Sequence, residues 1–103
     1  MGLIRMNFVQ KYLNETIRAI EYITRSNLDT IIDVKKIRAF YDIDTADKSK
    51  INFYWRSLQF LEERGILELI GNRTPRQYRV LNYFELFQRV YTIYQGEVGI
   101  QQI

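Results

Sequence analysis

The sequence predicts one mostly helical α+β domain, built from four helices and a β-hairpin. Its 103 residues fit a single domain, and 47% hydrophobic content is enough for a core without disulfides. Four segments carry apolar residues at three- and four-residue spacing, which is typical of amphipathic helices. Between the third and fourth segments, two short alternating runs flank a loop with glycine and proline, which predicts a hairpin.

The first two helices are predicted from apolar stripes separated by a short β-branched piece. The first helix covers residues 7–25. Residues 30–32, Thr-Ile-Ile, indicate a strand stub. Asp33 follows as the expected N-cap of a second, short helix over residues 34–41.

The third helix is predicted over residues 45–64, with Asp44 as its N-cap and Gly65 as a left-handed C-cap. The side expected to face the core carries Ile51, Tyr54, Trp55, Leu58 and Leu61. The opposite side is polar and basic, with Lys48, Ser49, Asn52, Arg56 and Gln59. Phe53 lies off the core stripe, and we expect it to pack against the second helix or beneath the hairpin.

The hairpin is predicted from strands at 66–70 and 77–81, joined by the loop 71–76. Period-two alternation directs one set of side chains to the core: Leu67, Leu69, Tyr78 and Val80. In that register Glu68 lies opposite Arg79 on the outer face.

The last helix is predicted over residues 83–95, with Asn82 as N-cap, Glu85 as its capping-box partner and 96–103 as a flexible tail. Its apolar residues are too many for one buried face, so we expect one contact with the first helix and one with another chain. The residues expected at that second contact are Tyr83, Phe87, Val90, Tyr91 and Tyr94. A two-fold homodimer is the simplest assembly, and coverage by the first helix alone is the alternative.

Composition and charge exclude several classes of function and indicate a class of partner. The chain has no cysteine and no histidine, which excludes disulfides and histidine or cysteine catalysis, and we expect no metal, no cofactor and no enzyme activity. No membrane span or signal peptide is apparent, so a cytoplasmic location is expected. Residues 48–79 carry seven basic and three acidic side chains, whereas residues 1–47 are neutral and 80–103 carry −1. Charge concentrated in one segment indicates a polyanionic partner.

The order of elements resembles that of the winged-helix (winged helix-turn-helix) family of DNA-binding domains. The chain has a helix, a strand stub, two helices, a hairpin with a basic loop and a last helix. The resemblance is strongest in LQFLEERGILE at 58–68, which looks like a DNA-reading helix running through glycine into the first wing strand. YRVL at 78–81 looks like the second wing strand. The resemblance implies a winged-helix core at 7–81 with a dimerisation helix at 82–95. The isoleucine-rich, cysteine-free composition is similar to that of small archaeal or plasmid-borne regulators.

The resemblance implies a dimeric, sequence-specific regulator of transcription that binds double-stranded DNA. The third helix would enter the major groove, where Asn52 and Arg56 would contact base edges. Lys48 and Ser49 would contact either bases or phosphates. The loop residues Arg73, Thr74 and Arg76 would contact the backbone or the minor groove.

Two other readings stay open. The domain can be a less specific architectural or partition DNA-binding protein, or an adaptor that binds protein in a larger assembly. An adaptor predicts an apolar or acidic third helix and a hairpin loop without cations. The sequence instead has Lys48 and Arg56 on the helix and Arg73 and Arg76 in the loop, which favours DNA.

Overall fold

The computed structural model describes residues 2–71 and 74–101 of the chain, with side chains over 9–71 and 74–96. Over these residues the protein is α+β and mostly helical, as predicted. The elements, in chain order, are α1 (Gly2–Thr24), α2 (Val34–Phe40), α3 (Lys48–Glu63), β1 (Leu67–Ile70), β2 (Gln77–Val80) and α4 (Tyr83–Gln101). β1 and β2 form a two-stranded antiparallel sheet.

The core lies where α1, α3 and the sheet meet, with α2 and α4 closing its sides. α1 packs against α3 and α4, and α3 packs against α2 and β1. The large apolar side chains that are fully buried are aliphatic or tyrosine: Ile17, Ile20, Ile32, Ile37, Tyr54, Leu58, Leu61, Ile66, Leu67, Tyr78 and Leu86. α3 contributes the middle of this cluster, so its opposite face is held towards solvent.

The segment before α2 is tied to the hairpin. The Ile32 amide donates to the Tyr78 carbonyl, and the Tyr78 amide donates to the Ile32 carbonyl, both at 2.8 Å. The predicted strand stub is therefore a single antiparallel bridge. The next residue, Asp33, is the N-cap of α2, as predicted, because its carboxylate accepts from the Lys36 amide at 2.8 Å.

α3 begins later than predicted and ends where predicted. Asp47, and not Asp44, is the N-cap, since Asp47 accepts from the Lys50 amide at 3.3 Å. Asp44 accepts from the Ala46 amide at 2.8 Å and so stabilises a turn that precedes the helix. Asx residues satisfy nearby amides in either a turn or a cap, and two of them three residues apart compete for the same role.

The C-terminus of α3 is a Schellman motif. Gly65 has φ +75°, and its amide donates to the Glu62 carbonyl at 2.9 Å. The Ile66 amide donates to the Leu61 carbonyl at 3.0 Å. The left-handed cap predicted at Gly65 is confirmed, and it turns the chain directly into β1.

The hairpin has the predicted register. Leu67 pairs with Val80, and Glu68 pairs with Arg79. On the outer face Arg79 Nε donates to Glu68 Oε1 at 2.9 Å. The side chains predicted to point inward are buried, apart from Leu69, which is partly buried. The Thr74–Pro75 peptide bond in the loop is cis.

α4 begins as predicted and is longer than predicted. Asn82 Oδ1 accepts from the Glu85 amide at 3.1 Å. The predicted end at residue 95 is wrong, because the helix continues through Gly96 to Gln101. Residues 96–101, predicted as part of a flexible tail, are helical, and 102–103 lie outside the described residues. An isolated glycine lowers helix stability by only about 1 kcal/mol relative to alanine, so Gly96 was a weak stop signal.

In the part of the chain that the structure describes, no helix is both long and apolar enough to cross a membrane.

Candidate functional site

The outer face of α3 carries the polar residues that the sequence singles out. Lys48, Ser49, Asn52 and Arg56 are all exposed. Lys48, Asn52 and Arg56 follow one another at four-residue steps and so lie along one side of the helix. Among the side chains of residues 9–71 and 74–96, neither Lys48 nor Arg56 forms an ion pair with a carboxylate.

A groove of about 480 Å³ lies between α3 and the hairpin loop. Its walls come from α2, α3 and the loop: Val34, Lys48, Ile51, Asn52, Trp55, Thr74, Pro75 and Arg76. The groove brings together four of the predicted site residues, two from the helix and two from the loop. Ser49 and Arg56 lie on the exposed face outside the groove. Arg73 lies outside the described residues.

The floor of the groove includes Trp55, which the sequence places in the core. Trp55 is only partly buried, and its ring lies under the guanidinium of Arg76, 5.7 Å from Cζ to the ring centre. Each residue turns a helix by about 100°, which puts Trp55 about 60° from Leu58 and about 60° from Asn52. Trp55 therefore lies on the boundary between the buried and polar faces, and the expected core position is wrong.

Ile51 occupies the same boundary. It is partly buried and lines the groove, so the predicted core stripe of α3 reduces to Tyr54, Leu58 and Leu61. The angular positions of Ile51 and Trp55 around the axis of α3, read from the sequence, indicate that both lie on this boundary. Val34 and Pro75 carry no such sign in the sequence, because their place in the groove depends on how α2 and the loop approach α3.

Phe53 packs in a direction that the sequence does not indicate. Its ring stacks on Tyr12 of α1, with ring centres 4.8 Å apart and planes 5° apart. The sequence analysis did not predict this contact with α1. The stack fixes the outer part of α3 to α1.

A tyrosine cluster holds α1, α2 and α3 together behind the exposed face. The Tyr54 hydroxyl donates to Glu15 Oε2, and the Tyr41 hydroxyl donates to the Glu15 backbone carbonyl, both at 2.7 Å. The two tyrosine rings stack at 5.9 Å. Burial raises the pKa of Tyr41 to about 12. Burial and the hydrogen bond to Glu15 also raise the pKa of Tyr54, so both hydroxyls remain donors at neutral pH.

Comparisons with protein-family models, with curated proteins and with solved structures found no match to this chain.

A second surface lies along α4, where large apolar side chains are exposed. They recur at steps of three and four residues: Phe84, Phe87, Tyr91 and Tyr94. Tyr91 is 65% exposed and Phe84 is 73% exposed. This spacing is typical of helices that pair with another helix. We call these four residues the outer stripe.

The outer stripe differs in part from the predicted dimer contact. Val90 is buried and Tyr83 is partly buried, so both belong to the inner face of α4 with Leu86 and Ile93. Phe87, Tyr91 and Tyr94 are exposed as predicted. The sequence grouping failed because eight apolar residues in the twelve from 83 to 94 can be divided into stripes in more than one way, and only the packing against α1 selects one.

Proposed function

We propose that this protein is a winged-helix DNA-binding protein that regulates transcription as a homodimer. The observation that carries the proposal is the groove in which Lys48 and Asn52 of α3 meet Thr74 and Arg76 of the hairpin loop. A helix and a basic loop presented side by side match a major groove and the backbone next to it.

The arrangement of elements supports the winged-helix assignment. Three helices precede a two-stranded hairpin, and α3 runs through Gly65 directly into its first strand. The bridge between Ile32 and Tyr78 adds a third, one-residue strand beside the hairpin. In this assignment α3 is the helix that enters the major groove, and the 71–76 loop is the tip of the wing.

The side chains on α3 supply the chemistry of base recognition. Asn52 can form paired hydrogen bonds with adenine, and Arg56 with guanine. Each such pair contributes about 1–3 kcal/mol of discrimination against a wrong base. Arg76 and Lys48 supply positive charge for phosphates on either side. Arg76 rests on Trp55, which favours one position of its charge over α3.

The outer stripe of α4 supports a dimer formed by two copies of this helix. None of its four residues is charged, so the stripe itself adds no like charges to a two-fold contact. The polar residues along its edge, Gln88 and Gln95, are also neutral. A two-fold dimer presents two α3 helices to half-sites about 34 Å apart, which is one turn of DNA.

The proposal is tested by selecting bound sequences from a random duplex pool. A dimeric regulator enriches a pseudo-palindrome with half-sites one turn apart. About four cations per protomer then give a log–log slope of affinity against salt of roughly −7. An architectural DNA binder shows the salt dependence without enrichment. A protein adaptor shows neither, and that result would reject the proposal.

A further inference from the structure

We propose that the cleft between α1 and α4 binds a small organic acid with one carboxylate and an apolar body. The cleft has a volume of about 500 Å³, which is within the range of small-molecule sites. It shares no residue with the groove between α3 and the hairpin loop. Its walls are the facing sides of the two helices: Gln10, Asn14, Ile17, Glu85, Gln88, Arg89, Thr92, Ile93 and Gly96.

Arg89 identifies the anionic part of the ligand. Its Nε is buried and, among the described residues, has no hydrogen-bond partner. The guanidinium is backed by the Phe60 ring, 6.0 Å from Cζ to the ring centre. Its Nη2 forms an ion pair with Glu85 Oε1 at 3.8 Å, which is too long for a hydrogen bond, so a ligand carboxylate would compete with Glu85 for this guanidinium. A carboxylate is the group that accepts from Nε and Nη of one guanidinium together.

The remaining walls define the rest of the ligand. Glu85 carries a negative charge in the same cleft, which disfavours a phosphate or a dicarboxylate with two charges. Ile17 and Ile93 provide an apolar floor, and amides and a hydroxyl border it. Gly96 has no side chain, and among the described residues a Cβ built there meets nothing within 4 Å, so with respect to those residues this end of the cleft is open.

The first test uses hexanoate as the probe and hexanamide as its uncharged control. Binding is followed by the ¹H–¹⁵N signal of the Arg89 Nε–H group in the full chain without DNA. We expect a saturable shift of this signal with hexanoate and none with hexanamide. An Arg89 signal that does not move, or that moves equally with both probes, overturns the proposal. Because no DNA is present, this outcome is independent of DNA binding.

Variants of two cleft residues provide the second test. Arg89→Gln removes the charged donors, and we expect hexanoate affinity to fall about tenfold or more. Gly96→Leu fills the open end and is expected to abolish binding, whereas Gly96→Ala adds only a Cβ in open space and is expected to preserve it. Gly96→Leu and Gly96→Ala do not alter the core, so their comparison tests hexanoate binding in the cleft even if Arg89→Gln fails to fold. Equal affinity in Gly96→Leu and Gly96→Ala contradicts the site.

Discussion

The guanidinium of Arg76 lies over the ring of Trp55, with 5.7 Å between Cζ and the ring centre. Arg76 belongs to the hairpin loop and Trp55 to α3, so the pair joins the two sides of the groove. Cation–π contacts at exposed sites contribute about 0.5–1 kcal/mol. That is enough to favour one loop position and too little to prevent its adjustment when DNA binds.

Trp55 fluorescence is expected to report DNA binding. Trp55 is the only tryptophan in the chain, and it lies in the floor of the proposed DNA groove. Addition of duplex DNA is expected to change its emission, and the signal should saturate with the same midpoint as the anisotropy of a labelled duplex. A duplex that binds by anisotropy without any change in emission would show that DNA contacts a different surface.

Substitutions in α3 are expected to change base preference, whereas substitutions in the loop are expected to change the affinity for all DNA sequences. Arg56→Ala and Asn52→Ala should each relax base preference at one position, by about 1–3 kcal/mol. Arg76→Gln should weaken binding to all sequences alike and reduce the salt slope by about 1. Competition against single-base variants of the selected site separates the two effects.

Arg64→Gln is the matched control for these charge changes. Arg64 follows the last residue of α3, a helix of 16 residues and therefore about 24 Å long. Its guanidinium lies over Phe60, away from the groove. Arg64→Gln should leave affinity and salt slope nearly unchanged. An effect as large as that of Arg76→Gln would mean that binding follows net charge alone.

The outer stripe of α4 is expected to carry the dimer. Tyr91→Glu places a charge in the middle of the stripe and should give a folded monomer, measured by sedimentation equilibrium and circular dichroism. Leu28→Glu is the control, because Leu28 is an exposed apolar residue on the turn between α1 and α2. It should leave the dimer intact. An unchanged mass for Tyr91→Glu would rule out the outer stripe as the interface.

Two glycine-to-alanine substitutions are expected to change the free energy of unfolding in opposite directions. Gly65 has φ +75°, so Gly65→Ala should destabilise the fold by about 1–2 kcal/mol. Gly96 is inside α4 with open space around it, so Gly96→Ala should stabilise the fold by about 0.5–1 kcal/mol. Urea unfolding measures both. A loss of stability in Gly96→Ala would contradict a helical Gly96 with open space around it.

The Tyr41 hydroxyl is expected to make stability depend on alkaline pH. Its pKa is raised from 10 to about 12 by burial, so the folded state favours the protonated form. The stabilisation from this hydroxyl is complete below pH 10 and is lost as the pH rises towards 12.

Tyr41→Phe provides the comparison for that pH dependence. It removes the hydrogen bond to Glu15 and should cost about 1 kcal/mol near neutral pH. The difference from the natural chain should narrow between pH 10 and pH 12. Urea midpoints across that range measure it, and a constant difference would contradict the shifted pKa.

Local signals in the sequence were sufficient for much of the fold. Gly65 ends α3 and Asp33 begins α2 because a left-handed cap and an Asx cap depend on residues within one turn. The pairing of Glu68 with Arg79 follows from strand alternation and loop length alone. The exposed face of α3 was likewise predictable from helical periodicity.

The errors concern competition between similar residues and contacts between distant elements. Asp44 and Asp47 are both suitable N-caps, and the turn before α3 decides between them. Trp55 and Val90 are apolar residues near face boundaries, and only the approach of neighbouring elements determines which side of the boundary each takes. The groove itself was not predictable as a cavity, because it forms between two elements whose spacing no local pattern specifies.

The paired amides and carbonyls of Ile32 and Tyr78 have a mechanical consequence for the hairpin. They join the second residue of β2, close to the loop, to the segment that leads into α2. The loop end of the hairpin and the start of α2 are therefore coupled through the backbone at Tyr78.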